Sequence, residues 1–270
     1  MPFARQLKSW IKRYFSFLFF SKLEYQLFKK NGEKHNVAFA IHPDDFIYKF
    51  IKSHFKKKGG SIGDCVEYYF NSGGESAEKI HGIIKELGIS VEKRVFEFAS
   101  GYGCSTRHLN KYFNNVITCD IHHEANLFNK KNFRYPYIRS VVNPKDFNST
   151  SQYDVIFALS FFSHIPKNNF KNWLIALSKC LIKGGVLIFT THGSFTKKNF
   201  FPNIKLDKDG FWFKESSEQK DLSEKTYGTS ISTKEFVEKQ IDNIDSLKIL
   251  KFKEADWWGN QDSYVVKRIV

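Results

Sequence analysis

The chain has 270 residues, of which 41% are hydrophobic, 17% aromatic and 26% charged. This is too long for a peptide-sized module, too apolar for a disordered chain and too charged for a multi-span membrane protein, which leaves one large α/β domain with additions or two small domains. The net charge of +14 is concentrated at one end, since residues 1–58 hold thirteen Lys and Arg against four Asp and Glu. Only seven of the 42 cations are Arg, the residue suited to bidentate contacts with phosphate and guanine, so nucleic acid is a disfavoured partner.

At helical pitch, Phe3, Leu7, Trp10, Tyr14 and Leu18 share one arc, and Arg5, Lys8, Lys12 and Arg13 share the other. This predicts a basic amphipathic helix. The uncharged run Tyr14 to Phe20 is far shorter than the roughly twenty apolar residues of a spanning helix, and no small-residue cleavage site follows it. Two uses fit such a helix. Residues 1–30 either lie on an anionic membrane surface or pack on their own domain as a cover. A second helix, His42 to Lys58, runs into Gly59-Gly60, read as a flexible joint. The expected organisation is therefore a basic helical extension over 1–60 and a main domain over 61–270.

Beyond the joint, strand-length apolar runs alternate with segments of helical period. Ser76 to Leu87 predicts a helix, Arg94 to Ala99 a strand, Cys104 to Phe113 a helix, and Val116 to Ile121 and Ile138 to Val142 strands. Tyr153 to Leu159 predicts a strand, Lys167 to Ile182 a helix closed by Lys183-Gly184-Gly185, Val186 to Thr191 a strand and Thr233 to Ile241 a helix. Leu247 to Lys253 and Tyr264 to Val270 then form a hairpin, turning through residues 256–262. The expected class is α/β, a Rossmann-like, seven-stranded and mostly parallel sheet with helices on both faces, a C-terminal antiparallel hairpin and the N-terminal helical extension. Ligands of such sheets bind at the carboxyl ends of the strands. Cys65, Cys104, Cys119 and Cys180 show neither a Cys-x-x-Cys pair nor a zinc spacing, so free thiols of a reducing cytosol and no metal are expected.

The sharpest local signal is Val95-Phe-Glu-Phe-Ala-Ser-Gly-Tyr-Gly-Cys-Ser105, a strand entering Gly101-x-Gly103, with Asp120 ending the next strand 17 residues later. Glycines let the backbone approach a ligand, and a carboxylate at that distance suits ribose hydroxyls. An NAD-type reading meets two objections. Position 106 is Thr where a third glycine is needed, and Glu97 in the strand would repel pyrophosphate. Glu97 would instead hold an ammonium, so the ligand suggested is a ribonucleoside carrying a cationic amino acid.

On these residues the sequence resembles class I S-adenosylmethionine-dependent methyltransferases of a bacterial, small-molecule or glycan-associated kind, over roughly residues 65–270. Phe96-Glu-Phe-Ala-Ser-Gly-Tyr-Gly is similar to their first motif, with Ala99 replacing a common glycine and Cys104 standing where Arg is frequent. Tyr153 to His164 resembles their fourth strand and its exit, Gly184 to Gly193 the fifth, and Gly259 to Lys267 the last hairpin. The resemblance implies S-adenosylmethionine as cofactor, held by Glu97, Ala99, Gly101, Gly103, Asp120, Ile121, Asn143 and Ser160. It implies methyl transfer, expected at oxygen of a small-molecule or lipid-linked glycan acceptor, by a cytoplasmic enzyme that contacts the inner membrane face peripherally if the N-terminal helix binds lipid.

An oxygen nucleophile is helped by a general base, and His164 and His192 both follow central strands. Each is alternatively a structural histidine. Tyr68-Tyr69-Phe70-Asn-Ser-Gly-Gly74 reads either as an aromatic lid with a glycine hinge or as core. Phe211, Trp212 and Phe213, in the long segment Phe195 to Tyr227, either shape the acceptor site or lie in a solvent-facing loop. Rival classes are a non-catalytic membrane-surface protein with a Rossmann-like core, a nucleic-acid or protein methyltransferase and an NAD-dependent oxidoreductase. Ser160-Phe-Phe-Ser stands where DNA amino-methylating enzymes carry Asp/Asn-Pro-Pro-aromatic, which disfavours that branch.

Overall fold

The computed structural model describes residues 2–90, 92–149, 151–216, 219 and 222–270. The side chains of Phe3 and Arg5, two members of the expected arcs, lie outside the described residues, as do positions 217, 218, 220 and 221 of the segment Phe195 to Tyr227. In chain order the elements are α1 (Pro2–Tyr14), α2 (Lys22–His35), α3 (Phe46–Lys57), α4 (Ile62–Glu86), β1 (Val95–Phe98), β2 (Val116–Asp120), α5 (His123–Phe133), β3 (Tyr137–Arg139), β4 (Tyr153–Ala158), α6 (Lys167–Lys179), β5 (Leu181–His192), α7 (Ser194–Phe200), β6 (Phe211–Lys214), β7 (Thr229–Ser232), α8 (Lys234–Asp242), β8 (Leu247–Trp257) and β9 (Gln261–Arg268). The main sheet has the strand order β3-β2-β1-β4-β5-β9-β8, and β6 and β7 form a second, two-stranded sheet. Two compact units divide the chain, Met1–Val91 with Ser100–Arg139, and Glu92–Ala99 with Ser140–Val270.

In the first unit, side-chain caps set the helix starts. Ser21 with Glu24 opens α2 and Ser61 with Asp64 opens α4 as reciprocal capping boxes, while Asp45 caps α3 by accepting from the Tyr48 amide. Asp45 also accepts from the Tyr69 hydroxyl at 2.6 Å. That hydroxyl in turn accepts from the fully buried Arg107, whose other donors reach the carbonyls of Ala38, Ala40 and Gly103. A guanidinium is tolerated in a core only when its donors are all used and a countercharge is near. This network ties the segment before α3 to the glycine loop, and the first sixty residues cluster with this unit.

Of the two readings of Tyr68–Gly74, the lid with a glycine hinge is the one the structure does not have. α4 runs through it without a break, with Tyr69 and Phe70 buried. Gly73 serves packing, since a Cβ on it would lie 2.1 Å from the Cys104 carbonyl oxygen. The expected helix from Cys104 is only a 3-10 stretch, Thr106–Lys111.

α1 is a second correction. It packs on this unit by its polar side: Lys12 pairs with Asp44 at 2.6 Å and Arg13 donates twice to Glu124 at 2.7 Å. The apolar arc of Leu7, Trp10, Tyr14 and Leu18 is left facing outward. Periodicity identifies two faces without saying which one docks.

In the second unit, β1 pairs in parallel with β4 and β4 with β5, whereas β9 runs antiparallel between β5 and β8. β1 and β4 are almost entirely buried, as their unbroken apolar runs predict for strands covered on both faces. β5 starts at Leu181, earlier than expected, because Lys183-Gly184-Gly185 lies within the strand at an irregularity, with Gly184 at φ 83°, rather than closing the preceding helix. Phe211 to Phe213, read either as acceptor-site or as solvent-facing loop aromatics, form β6 against β7, with Phe211 and Ile231 buried. All four cysteines are free.

Candidate active site

The glycine loop of the first unit is held from several directions. The Ser100 amide donates to the Cys119 carbonyl at 2.9 Å and the Gly101 amide to Asp120 Oδ2 at 2.8 Å. Asn129 Nδ2 donates to the Gly101 carbonyl at 3.0 Å. The two glycines do different work. Gly101, at φ 53°, has nothing within 4 Å of where a Cβ would stand, so its outer face is open to a ligand. Gly103, at φ 84°, packs against Phe133, which a Cβ would meet at 2.2 Å.

Asp120 is buried, 6% exposed, at the end of β2. Its Oδ1 accepts from both the amide and Nδ1 of His122, at 2.8 and 2.9 Å. Three of the roughly four lone-pair positions of the carboxylate are therefore in use. Ile121 follows, its carbonyl accepting from Arg139 Nε at 3.4 Å.

In the second unit, Glu97 is buried in β1 with Phe157 as its β4 neighbour. Ala99 turns the chain out of β1 at φ 59°, and Ser160 does the same after β4 at φ 57°. Left-handed backbone is uncommon outside glycine and costs about 1 kcal/mol or more, so both turns are held by their surroundings. For Ser160 the holder is a polar circuit. Its amide donates to Thr190 Oγ1 at 2.7 Å, Thr190 donates to Gln261 Oε1 at 2.6 Å, and Gln261 Nε2 donates back to Ser160 Oγ at 3.0 Å. Asn143 is spent locally, accepting from the Lys145 amide at 3.2 Å.

His164 and His192 come together after β4 and β5, with ring centroids 6.0 Å apart. Their hydrogen bonds set them apart. With Gln261 Oε1 engaged by Thr190, the amide nitrogen faces His192 Nε2 at 3.3 Å, so Nε2 accepts and the ring proton sits on Nδ1. Burial, followed by the neighbouring His164, pushes the His192 pKa down to about 4. His164 Nδ1 instead donates to the Gly228 carbonyl at 2.7 Å, leaving the lone pair on Nε2, while its ring stacks on Tyr227 at 4.9 Å. His164 has the tautomer a base needs, and His192 is held neutral as a hydrogen-bonding group.

Sequence reasoning missed Gln261, Thr190, Tyr227 and Asp262 as parts of this site. Gln261 and Asp262 stand beside His192 and Thr191 only through the register of β9 on β5. Asp262 is buried, which pushes its carboxyl up to about 6, and its Oδ2 would lie 1.8 Å from a Cβ on Gly193. Trp212 and Phe213 line an open cleft of about 530 Å³ with Pro166, Lys167 and Leu206. Among the described residues, no group of three or more His, Cys, Asp or Glu is arranged to hold a metal.

Residues 96–189 match the family described as a methyltransferase domain. The fold is similar to that of an S-adenosylmethionine-dependent methyltransferase from Clostridium acetobutylicum, at 17% identity, covering 82% of this chain and 98% of that one with a TM-score of 0.55. It is also similar to DesVI of Streptomyces venezuelae (12% identity, 82% and 98% covered, TM-score 0.54) and to the magnesium protoporphyrin IX methyltransferase of Synechocystis (10%, 85% and 98%, 0.52). No curated protein sequence matches the chain. At these identities the structures speak for the fold alone, and the similarity to a methyltransferase domain is confined to residues 96–189.

Proposed function

We propose that the protein is an S-adenosylmethionine-dependent methyltransferase that methylates an oxygen of a small-molecule or glycan acceptor, with His164 as general base. The observation that carries this reading is the 2.7 Å bond from His164 Nδ1 to the Gly228 carbonyl, which puts the ring proton on Nδ1 and so gives the imidazole the tautomer of a base acting through Nε2. S-adenosylmethionine, when bound, supplies a methyl carbon already activated by its sulfonium. The protein's own part is then alignment, exclusion of water and removal of one proton.

The fit to the cofactor is supported by the open face of Gly101 and by the two acids. Glu97 would receive the ammonium, and Asp120 has one acceptor position left for a ribose hydroxyl, a second becoming available if the His122 ring turns away. Ala99, Gly103, Ile121, Asn143 and Ser160 complete the proposed cofactor set, Gly103 through packing and Asn143 through backbone. Gln261 and His192 would orient the acceptor, and Trp212 and Phe213 would wall it. Localisation in the cytoplasm, with peripheral contact to the inner membrane face through residues 1–30, would suit a lipid-linked glycan.

The test is calorimetric binding of S-adenosylhomocysteine, followed by mass spectrometry of surface polysaccharide and small metabolites with and without the gene, searching for a shift of one methyl group on oxygen. A methyl found only on nitrogen or carbon overturns the oxygen assignment.

A further inference from the structure

We propose that the outward face of residues 7–25 docks on the surface of an anionic phospholipid bilayer. This deepens the peripheral-contact part of the proposed function and does not depend on the acceptor.

An amphipathic helix covering a domain turns its apolar side inward. α1 does the reverse. Lys12 on Asp44 and Arg13 on Glu124 clamp its polar side to the protein, and Lys131 Nζ donates to the Arg13 carbonyl at 3.0 Å. Lys12 and Arg13, two of the cations that lipid phosphates were expected to draw, are thus spent on attachment, and the apolar side is presented to solvent. Trp10 is 44% exposed and Leu18 64%, and none of Ser16–Phe19 is buried.

The exposed rings form one connected run. Tyr14 and Trp10 stack at 5.2 Å, Trp10 meets Phe15 at 5.5 Å, Phe15 meets Phe17 at 6.2 Å and Phe17 meets Tyr25 at 5.8 Å. A large exposed apolar patch marks an interaction surface. Its margins indicate the partner. Lys131 Nζ stands 4.0 Å from the Tyr14 ring at one end and Lys29 Nζ 5.1 Å from the Tyr25 ring at the other, and Lys22, next to the run in sequence, is exposed. Trp and Tyr favour the headgroup level of a bilayer, and lysines at that depth meet anionic lipid. No described helix is long and apolar enough to cross a membrane, so the contact is superficial. A second copy of the chain suits the face less well, because a two-fold contact would bring the same lysines together.

The experiment is flotation of the full chain with phosphatidylcholine vesicles and with vesicles that also contain phosphatidylglycerol. Binding is expected only to the anionic vesicles, with release in high salt. Trp10→Ser with Phe17→Ser and Leu18→Ser should abolish it, and Lys22→Gln or Lys29→Gln should each weaken it about fivefold. Each variant is also titrated with S-adenosylhomocysteine, where affinity equal to the parent shows an intact fold and separates this result from the methyltransferase reading. The proposal is overturned if the parent does not float with anionic vesicles, if the triple variant floats as well as the parent, or if light scattering shows a dimer that the triple substitution dissolves.

Discussion

The Asp120 carboxylate accepts the Gly101 amide at 2.8 Å, so the acid proposed to receive a ribose also holds the loop that must make room for it. Asp120→Ala should weaken binding of S-adenosylhomocysteine by about 1.5–3 kcal/mol, the range for charge-assisted bonds. Asp120→Asn keeps an acceptor for Gly101 and should lose less. Calorimetry on both variants is the measurement, and parental affinity in a folded Asp120→Ala protein removes the cofactor assignment.

For the two histidines the expected outcomes diverge. His164→Ala should lower turnover about a hundredfold or more, the usual contribution of a general base. His192→Ala, which removes a neutral orienting ring, should act mainly on KM for the acceptor. Steady-state kinetics at pH 7 decides, and full turnover in His164→Ala would place the proton elsewhere.

Acid should destabilise the protein before its carboxylates titrate. Burial pushes the pKa values of His42 and His192 to about 4 and of His108 to about 3. The unfolded chain therefore gains three protons near pH 6.5 that the folded chain refuses until about pH 4, or about pH 3 at His108, at a cost that reaches about 3 kcal/mol for each by pH 4. Asp262 opposes this trend. Its raised carboxyl, at about 6, makes a contribution that is full below pH 4 and lost as pH rises through 6. Urea midpoints should fall from pH 7.5 to pH 5. In Asp262→Asn, stability at pH 7.5 should rise and the fall should steepen. A flat profile would contradict the burial of these rings.

Two glycines of α4 give a paired test of packing. A methyl on Gly73 collides with the Cys104 carbonyl, whereas a methyl on Gly82 meets nothing within 4 Å. Gly73→Ala should cost about 1–3 kcal/mol and Gly82→Ala should add about 0.5–1 kcal/mol. Thermal melts that rank the two variants in the opposite order would refute the close approach of α4 to the loop.

These glycines also show what the sequence could convey. β1, β2 and β4 were legible because continuous apolar runs bounded by turns admit few other readings, and the hairpin because two strand-length runs flank 256–262. The turn at Gly101 and Gly103 was legible because both take left-handed backbone, which glycine adopts freely. Tyr68–Gly74 misled, since a glycine pair signals a hinge and a helix contact equally, and only the nearness of Cys104 separates them. The side of α1 that docks depends on Asp44 and Glu124, remote in sequence. The choice between His164 and His192 rests on a carbonyl 64 residues away and on the register that brings Gln261 to His192.

That carbonyl belongs to Gly228, just ahead of β7, in the same insertion whose other strand carries Trp212 and Phe213. A Cβ on Gly228 would lie 2.2 Å from the Lys214 carbonyl oxygen, so the peptide orienting His164 is seated directly against β6. Grafting a different insertion between Ser194 and Ser232 would exchange the acceptor wall and unfasten the imidazole in one operation. Under the proposed function, specificity and proton removal form a single evolutionary module, in which a change of substrate has to preserve or rebuild the anchor of the proposed base.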